Sequence, residues 1–209
     1  PTPPPPDAPP APHAAPNPAH DVPAMWRTIE PHPRKMCHRD YPGALNTLKD
    51  DHPVHEWQYY YYPSALLAGI AERAAGEAAR AEARFAESLE FLTTLGAADS
   101  EDPRIQLALG LTLAGLGRRE EAVRHGVRAT ELLPFSKDRL HSLYYVGDLA
   151  RIHAMNGDLG PALEQLAMVF DHPSGLGIEE TFLDPIWDPF RDQPEFMAFE
   201  KRYRRAASQ

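Results

Sequence analysis

The chain has very little cysteine and no long hydrophobic segment among its 209 residues. The single cysteine, Cys37, leaves no possibility of an intrachain disulfide or of a zinc site built on four cysteine ligands. No apolar run approaches the ~20 residues that a transmembrane helix requires. The sequence therefore excludes a disulfide scaffold, and we expect no direct membrane insertion.

Positive charge is also scarce. Lys and Arg number 21 against 30 Asp and Glu, which gives a formal net charge of -9. An acidic chain without a basic stripe disfavours nucleic acid and anionic membrane surfaces as partners. We therefore expect protein partners and no nucleic acid.

Catalytic motifs are missing as well. The sequence contains no Gly-x-Ser-x-Gly elbow, no Walker A loop and no Rossmann glycine pattern. The segment His38-Arg39-Asp40 resembles the catalytic loop of protein kinases, but no Gly-rich loop and no Asp-Phe-Gly accompany it. We expect no catalytic residues, no metal and no cofactor, so the sequence does not predict an enzyme.

Proline is abundant but unevenly placed, with ten of 23 prolines in the first 18 residues. Residues 1–23 are predicted to form an extended polyproline-II arm, because proline lacks an N–H and cannot continue a helix. The arm serves as a spacer or, alternatively, docks into an aromatic groove. The chain begins at Pro1, which indicates a processed product or a fragment. The composition of the arm suits a tether that leads away from a membrane or a signal peptide. We therefore expect this protein in the cell envelope rather than in the cytoplasm.

The most informative positive feature is a pattern of small residues that recurs at near-constant spacing. The anchor alanines Ala81, Ala122 and Ala162 are 41 and 40 residues apart. Small side chains let two antiparallel helices approach, glycine permits the turn between them, and proline ends the second helix. The repeat positions are Gly76, Ala81, Gly110, Gly117, Ala122, Ala129, Pro134, Ala150, Gly157 and Ala162.

The pattern predicts an all-α chain. Residues 24–56 form a degenerate first repeat, with helices at about 34–38 and 41–49. A helical segment is expected from Glu56 to Ile70, with the tyrosine run Tyr59–Tyr62 in its first turns. Further helices are predicted over 64–95 (split at Gly76), 103–116, 119–133, 138–156 and 159–170. A short helix follows at 179–182, and a last helix lies at 194–205 within a cap of residues 181–209.

The copy with Leu109, Gly110, Gly117, Ala122, Ala129 and Pro134 resembles the tetratricopeptide repeat (TPR). The resemblance implies an α-solenoid of three to four helix pairs across residues 57–180. Such solenoids bind partners far more often than they catalyse reactions. We therefore expect a protein–protein interaction module, a scaffold or regulatory docking subunit of a larger bacterial assembly.

The segment Leu183-Asp184-Pro185 with its continuation to Phe196 carries a second, narrower resemblance. It is similar to the closing segment of TPR regions in bacterial multidomain signalling proteins, namely Ser/Thr kinases, adenylate cyclases and winged-helix regulators. The likeness implies a docking or sensor module and supplies no kinase, cyclase or DNA-binding activity. The expected cap residues, which would cover the last helix, are Trp187, Phe190, Arg191 and Phe196.

In the tetratricopeptide family the concave face is lined by the first helix of each pair. Carried over, its partner-binding positions are Leu66, Ile70, Arg73, Arg104, Leu107, Leu111, Tyr144, Arg151 and Met155. An extended or helical peptide with apolar anchors and an acid would suit this face. The alternative is that several of these residues pack inside a tightly wound superhelix.

A second functional hypothesis concerns the lead-in segment Asp50-Asp51-His52-Pro53-Val54-His55-Glu56. Imidazoles and carboxylates suit zinc or nickel, so this segment and the tyrosine run could form a sensory site for a metal or small molecule. A hydrophilic loop explains the same residues, because Pro53 breaks any helix that would align the two histidines. A further alternative is that the chain forms a homo-oligomer.

Overall fold

The computed structural model of the protein describes residues 31–48, 53–172 and 176–207. This part of the chain is mostly helical, as the sequence predicts. The predicted arm, residues 1–23, lies outside the described residues. So do the acidic and histidine positions 50–52 of the lead-in segment.

Ten α-helices and two strands organise the described residues. The helices are α1 (Pro31–Cys37), α2 (Tyr41–Asn46), α3 (Ser64–Ala74), α4 (Ala78–Thr94), α5 (Pro103–Gly115), α6 (Arg119–Leu132), α7 (His141–Asn156), α8 (Leu159–Phe170), α9 (Ile178–Leu183) and α10 (Pro194–Ala207). The strands are β1 (Val54–Trp57) and β2 (Tyr60–Pro63). The predicted helices at 103–116, 119–133 and 159–170 are confirmed almost to the residue.

Consecutive helices pack in pairs, and each pair packs on the next. Helix α3 lies against α4, α5 against α6, and α7 against α8, while α5 also contacts both α3 and α7. The apolar faces of these helices form one buried cluster, whose members range along the chain from Met36 to Met155. A second cluster joins α7 and α8 to the C-terminal segment.

Gly110 shows why the pattern demands small residues. A Cβ at this position would lie 2.7 Å from Ile152 Cδ1 and 3.0 Å from the carbonyl oxygen of Ala122. Ala122 and Ala129, on the facing helix α6, are completely buried. Helix α5 therefore fits between α6 and α7 only because these positions carry almost no side chain.

The turns inside the three main pairs share one backbone conformation. Gly76, Gly117 and Gly157 have φ angles of 83°, 74° and 83°, in the left-handed region that only glycine adopts at little cost. At each of these turns the second helix begins one or two residues later. The recurrence of glycine in the sequence thus marks a recurring left-handed turn.

The tyrosine run is not helical, and this prediction was wrong. Strands β1 and β2 form an antiparallel hairpin in which Val54 pairs with Pro63, and Trp57 with Tyr60. Aromatic and β-branched side chains fit a pleated surface better than a helix, where they lose rotamer freedom. Pro63 then occupies the N-cap of α3, so that helix begins only at Ser64.

The C-terminal segment folds into α9, a 3₁₀ segment from Pro185 to Phe190, and α10. Its aromatic side chains are buried: Trp187 and Phe196 stack with ring centroids 6.0 Å apart, and Phe190 is 4% exposed. They share a cluster with Leu163 and Leu166 of α8. Within the described ranges, no helix is both long and apolar enough to cross a membrane.

Candidate inner-face site

The hairpin lies against α5 and α7, on the surface where the sequence predicts a partner groove and which we call the inner face. The Tyr59 ring stacks on Tyr144 of α7 with centroids 3.9 Å apart and an angle of 12° between planes. The Tyr62 hydroxyl donates to the Asp148 carboxylate, across 86 residues of sequence. This part of the inner face is therefore occupied by the protein's own chain.

Behind the hairpin lies a partly buried charge cluster. Arg151 Nη1 donates to Asp148 Oδ1 at 3.2 Å, and its Nε lies 3.5 Å from Asp184 Oδ2. Burial raises the pKa of Asp148, since its side chain is only 10% exposed. Burial opposes the charge of Arg151 too, but the Asp184 and Asp148 carboxylates outweigh it and raise the pKa of the guanidinium.

A single arginine joins the first helices to the last segment. Arg39, between α1 and α2, donates from Nη1 to the carbonyl oxygen of Leu183 at 2.6 Å and from Nη2 to the Asp188 carboxylate. Asp188 also accepts from Arg191 Nε at 2.6 Å. We call this set of contacts, together with the Asp148–Arg151–Asp184 cluster, the charged closure. It brings together residues nearly 150 positions apart.

An open cavity of about 210 Å³ remains beside the charged closure. It lies at the C-terminal ends of α3 and α7, under the 3₁₀ segment. Most of its lining is apolar, and the complete set is Ile70, Arg73, Ala74, Ala154, Met155, Pro185, Ile186, Asp188 and Pro189.

Arg73 is the cation at this cavity. Its Nη2 donates to the carbonyl oxygen of Met155 at 3.0 Å, and burial lowers its pKa. Within the described part of the chain, no carboxylate forms an ion pair with Arg73. Asp188, which also lines the cavity, is already engaged by Arg39 and Arg191.

The nine predicted partner-binding residues fall into three groups. Leu66, Leu107 and Leu111 are at most 1% exposed and pack in the core, which is the alternative that the sequence left open. Arg104, Tyr144 and Arg151 are partly exposed but have partners inside the chain. The structure brings the last group, Ile70, Arg73 and Met155, together at the cavity.

The lead-in segment shows no metal-binding arrangement in what the structure describes. His55 is buried and its Nε2 lies 3.0 Å from the Ser64 hydroxyl. No group of three His, Cys, Asp or Glu side chains among the described residues is placed to hold a metal ion. The predicted ligand His52 lies outside them.

Sequence reasoning missed Tyr62, Asp148 and Arg39. One signal existed for Asp148: it interrupts the buried run from Tyr145 to Ala150, and a lone acid inside such a run is rare unless it is paired. Nothing local marks Arg39 as a link to the C-terminal segment, because Leu183 and Asp188, two of its three acceptors, lie at the other end of the chain.

Comparisons with family models, curated proteins and solved structures found no match to this chain. The likeness to tetratricopeptide repeats therefore rests on the small-residue pattern alone, and family membership stays a prediction.

Proposed function

We propose that this chain is a non-catalytic protein–protein interaction module with a tetratricopeptide-like solenoid fold. It would act as a scaffold or regulatory docking subunit of a larger bacterial assembly. The packing of α3–α4, α5–α6 and α7–α8 pair upon pair supports the architecture. In such architectures the inner helices provide the surface that partners use.

The observation that carries the proposal is the cavity at Arg73. The hairpin covers part of α5 and α7, and the described residues leave a cavity at the edge where α3, α7 and the 3₁₀ segment meet. There apolar walls adjoin a cation that has no carboxylate partner in the described chain. An apolar recess with one oriented polar group is the usual form of a docking pocket.

A selection of random peptides displayed on phage, with the full chain as bait, tests this function. We expect enriched peptides that bind the soluble chain in the micromolar range and crosslink to α3 or α7. The matched control is the Ala74→Phe variant, which fills the cavity and should lose most of this binding. A selection that enriches no peptide above a bait-free control, or crosslinks confined to other helices, would contradict the proposal.

A further inference from the structure

We infer that the cavity receives a large apolar side chain from an extended partner segment, while an Asp or Glu two residues along that segment pairs with Arg73. This inference rests on the proposed docking function and specifies the partner's chemistry. It follows from three properties of the site, namely its volume, its charge and the spacing of its residues.

The volume sets the size of the apolar anchor. A dry cavity of about 150 Å³ is large enough to hold a benzene molecule. The cavity here measures about 210 Å³ and its walls include Ile70, Met155 and Ile186. The cavity is therefore large enough for one Leu, Met or Phe side chain.

The charge of the site selects an acid. A guanidinium carries five N–H donors, and Arg73 uses one of them on the Met155 carbonyl. The neighbouring arginines of the charged closure, Arg39, Arg151 and Arg191, each already contact an aspartate. Among the described residues, Arg73 is therefore the cation at this cavity where a partner's carboxylate gains a charge-assisted hydrogen bond without displacing an ion pair.

The spacing of the lining residues matches an extended segment. Ile70 and Arg73 are one helical turn apart on α3, which puts their Cβ atoms about 5–6 Å from each other. In an extended chain, residues i and i+2 point to the same side and lie about 6.6 Å apart. Adjacent residues point to opposite sides.

The test uses the full chain and fluorescein-labelled peptides in fluorescence anisotropy. The probe carries Leu-Ser-Glu between flexible Gly-Ser flanks and has an amidated C-terminus, so that the glutamate side chain is the only carboxylate of its peptide part. The carboxylate of the fluorescein label is common to the probe and all comparators. Three comparators replace the Glu by Gln, replace the Leu by Ser, or move the acid beside the anchor as Leu-Glu-Ser. We expect each comparator to bind at least about tenfold more weakly, the change expected when a charged hydrogen bond or an apolar anchor is lost.

Two variants and a control locate the contact. Arg73→Gln retains a donor for the Met155 carbonyl and should weaken the probe at least about tenfold while barely changing the Gln comparator. Ala74→Phe fills the cavity but leaves Arg73 unchanged, and it should abolish binding of both the probe and the Gln comparator. Arg124→Gln removes a comparable charge from α6, where the side chain is 69% exposed, and should leave binding unchanged. Circular dichroism and thermal melting verify that every variant is folded.

The outcomes separate this inference from the function on which it rests. If probe and Gln comparator bind equally, if Arg73→Gln has no effect, or if no defined peptide binds, the inference is overturned. The docking function is then tested separately, by whether the random-peptide selection enriches peptides that bind the chain. Selected peptides that lack acids and tolerate Arg73→Gln would leave that function intact and remove only the acidic partner.

Discussion

The central pair α5–α6 and the charged closure hold the same chain together by different means. In the central pair the apolar contacts are tight, since Leu107, Leu111, Ala122 and Ala129 are at most 1% exposed. A hydrogen bond between Gln106 and His125 accompanies them. In the charged closure the Arg39 and Asp188 side chains remain 33% and 40% exposed. The first region depends on packing, and the second depends on ion pairs between distant parts of the sequence.

This difference predicts that substitutions in the two regions change the free energy of unfolding by different amounts. Apolar burial contributes in proportion to the area removed from water and responds little to pH. A half-exposed ion pair contributes only about 0.2–1 kcal/mol, because solvent screens it and side-chain entropy opposes it. We therefore expect single substitutions in the central pair to cost the most stability and substitutions in the charged closure to cost less.

The largest effect is expected for Leu111→Ala in α5. The variant leaves a cavity in a fully buried site, which costs about 2–5 kcal/mol of the free energy of unfolding. Urea denaturation measures the loss. Leu95→Ala is the matched control, since Leu95 is 45% exposed and should lose less than about 0.5 kcal/mol. Equal losses in the two variants would show that α5 is not the packing centre.

An intermediate effect is expected for Asp148→Asn in the charged closure. The neutral amide can still accept one hydrogen bond but loses its ion pair with Arg151, and we expect a loss of about 1–3 kcal/mol. Asp192→Asn, at an exposed carboxyl, is the control and should be neutral. The comparison fails if Asp148→Asn changes the urea midpoint no more than this control.

The smallest effect is expected from the protonation of His32. This buried imidazole lies 3.1 Å through Nδ1 from the carbonyl oxygen of Ala44, and burial lowers its pKa below 6.5. His55 and Arg151 lower it further, and Asp184 opposes them. Below pH 6.5 the unfolded chain binds the proton first, so stability is complete above that pH and falls as the pH decreases towards the folded pKa. The loss is at most about 1.4 kcal/mol per pH unit.

Thermal melts at pH 7.5 and 5.5 check this expectation. His32→Asn keeps a donor near Ala44 but cannot titrate, so its melting temperature should fall less on acidification than that of the unmodified chain. His125→Asn, in α6 of the central pair, is a useful second variant because burial also lowers the pKa of His125. If His32→Asn retains the full acid sensitivity, His32 does not contribute to it.

The sequence predicted the helix pairs better than it predicted the inner face. Gly117 and Ala122 fix a turn and a close helix contact through local geometry and side-chain size, so their pattern can be read without a structure. The prediction of a helix at the tyrosine run was wrong because aromatic residues suit a strand as well as a buried helix face. For the predicted groove, the repeat pattern assigned Ile70, Arg73, Met155 and Leu107 to the same surface. It could not show that the first three line a cavity while Leu107 is buried in the core.

The sequence by itself determined where helices begin, turn and end, because these depend on hydrogen bonds and steric limits within a few residues. Only the tertiary structure decided which side chains meet across the chain. Tyr62 reaches Asp148, Arg39 reaches Asp188, and Arg73 is left without a carboxylate partner among the described residues. Such pairings depend on how the helix pairs stack and where the hairpin lies, and no local rule specifies them.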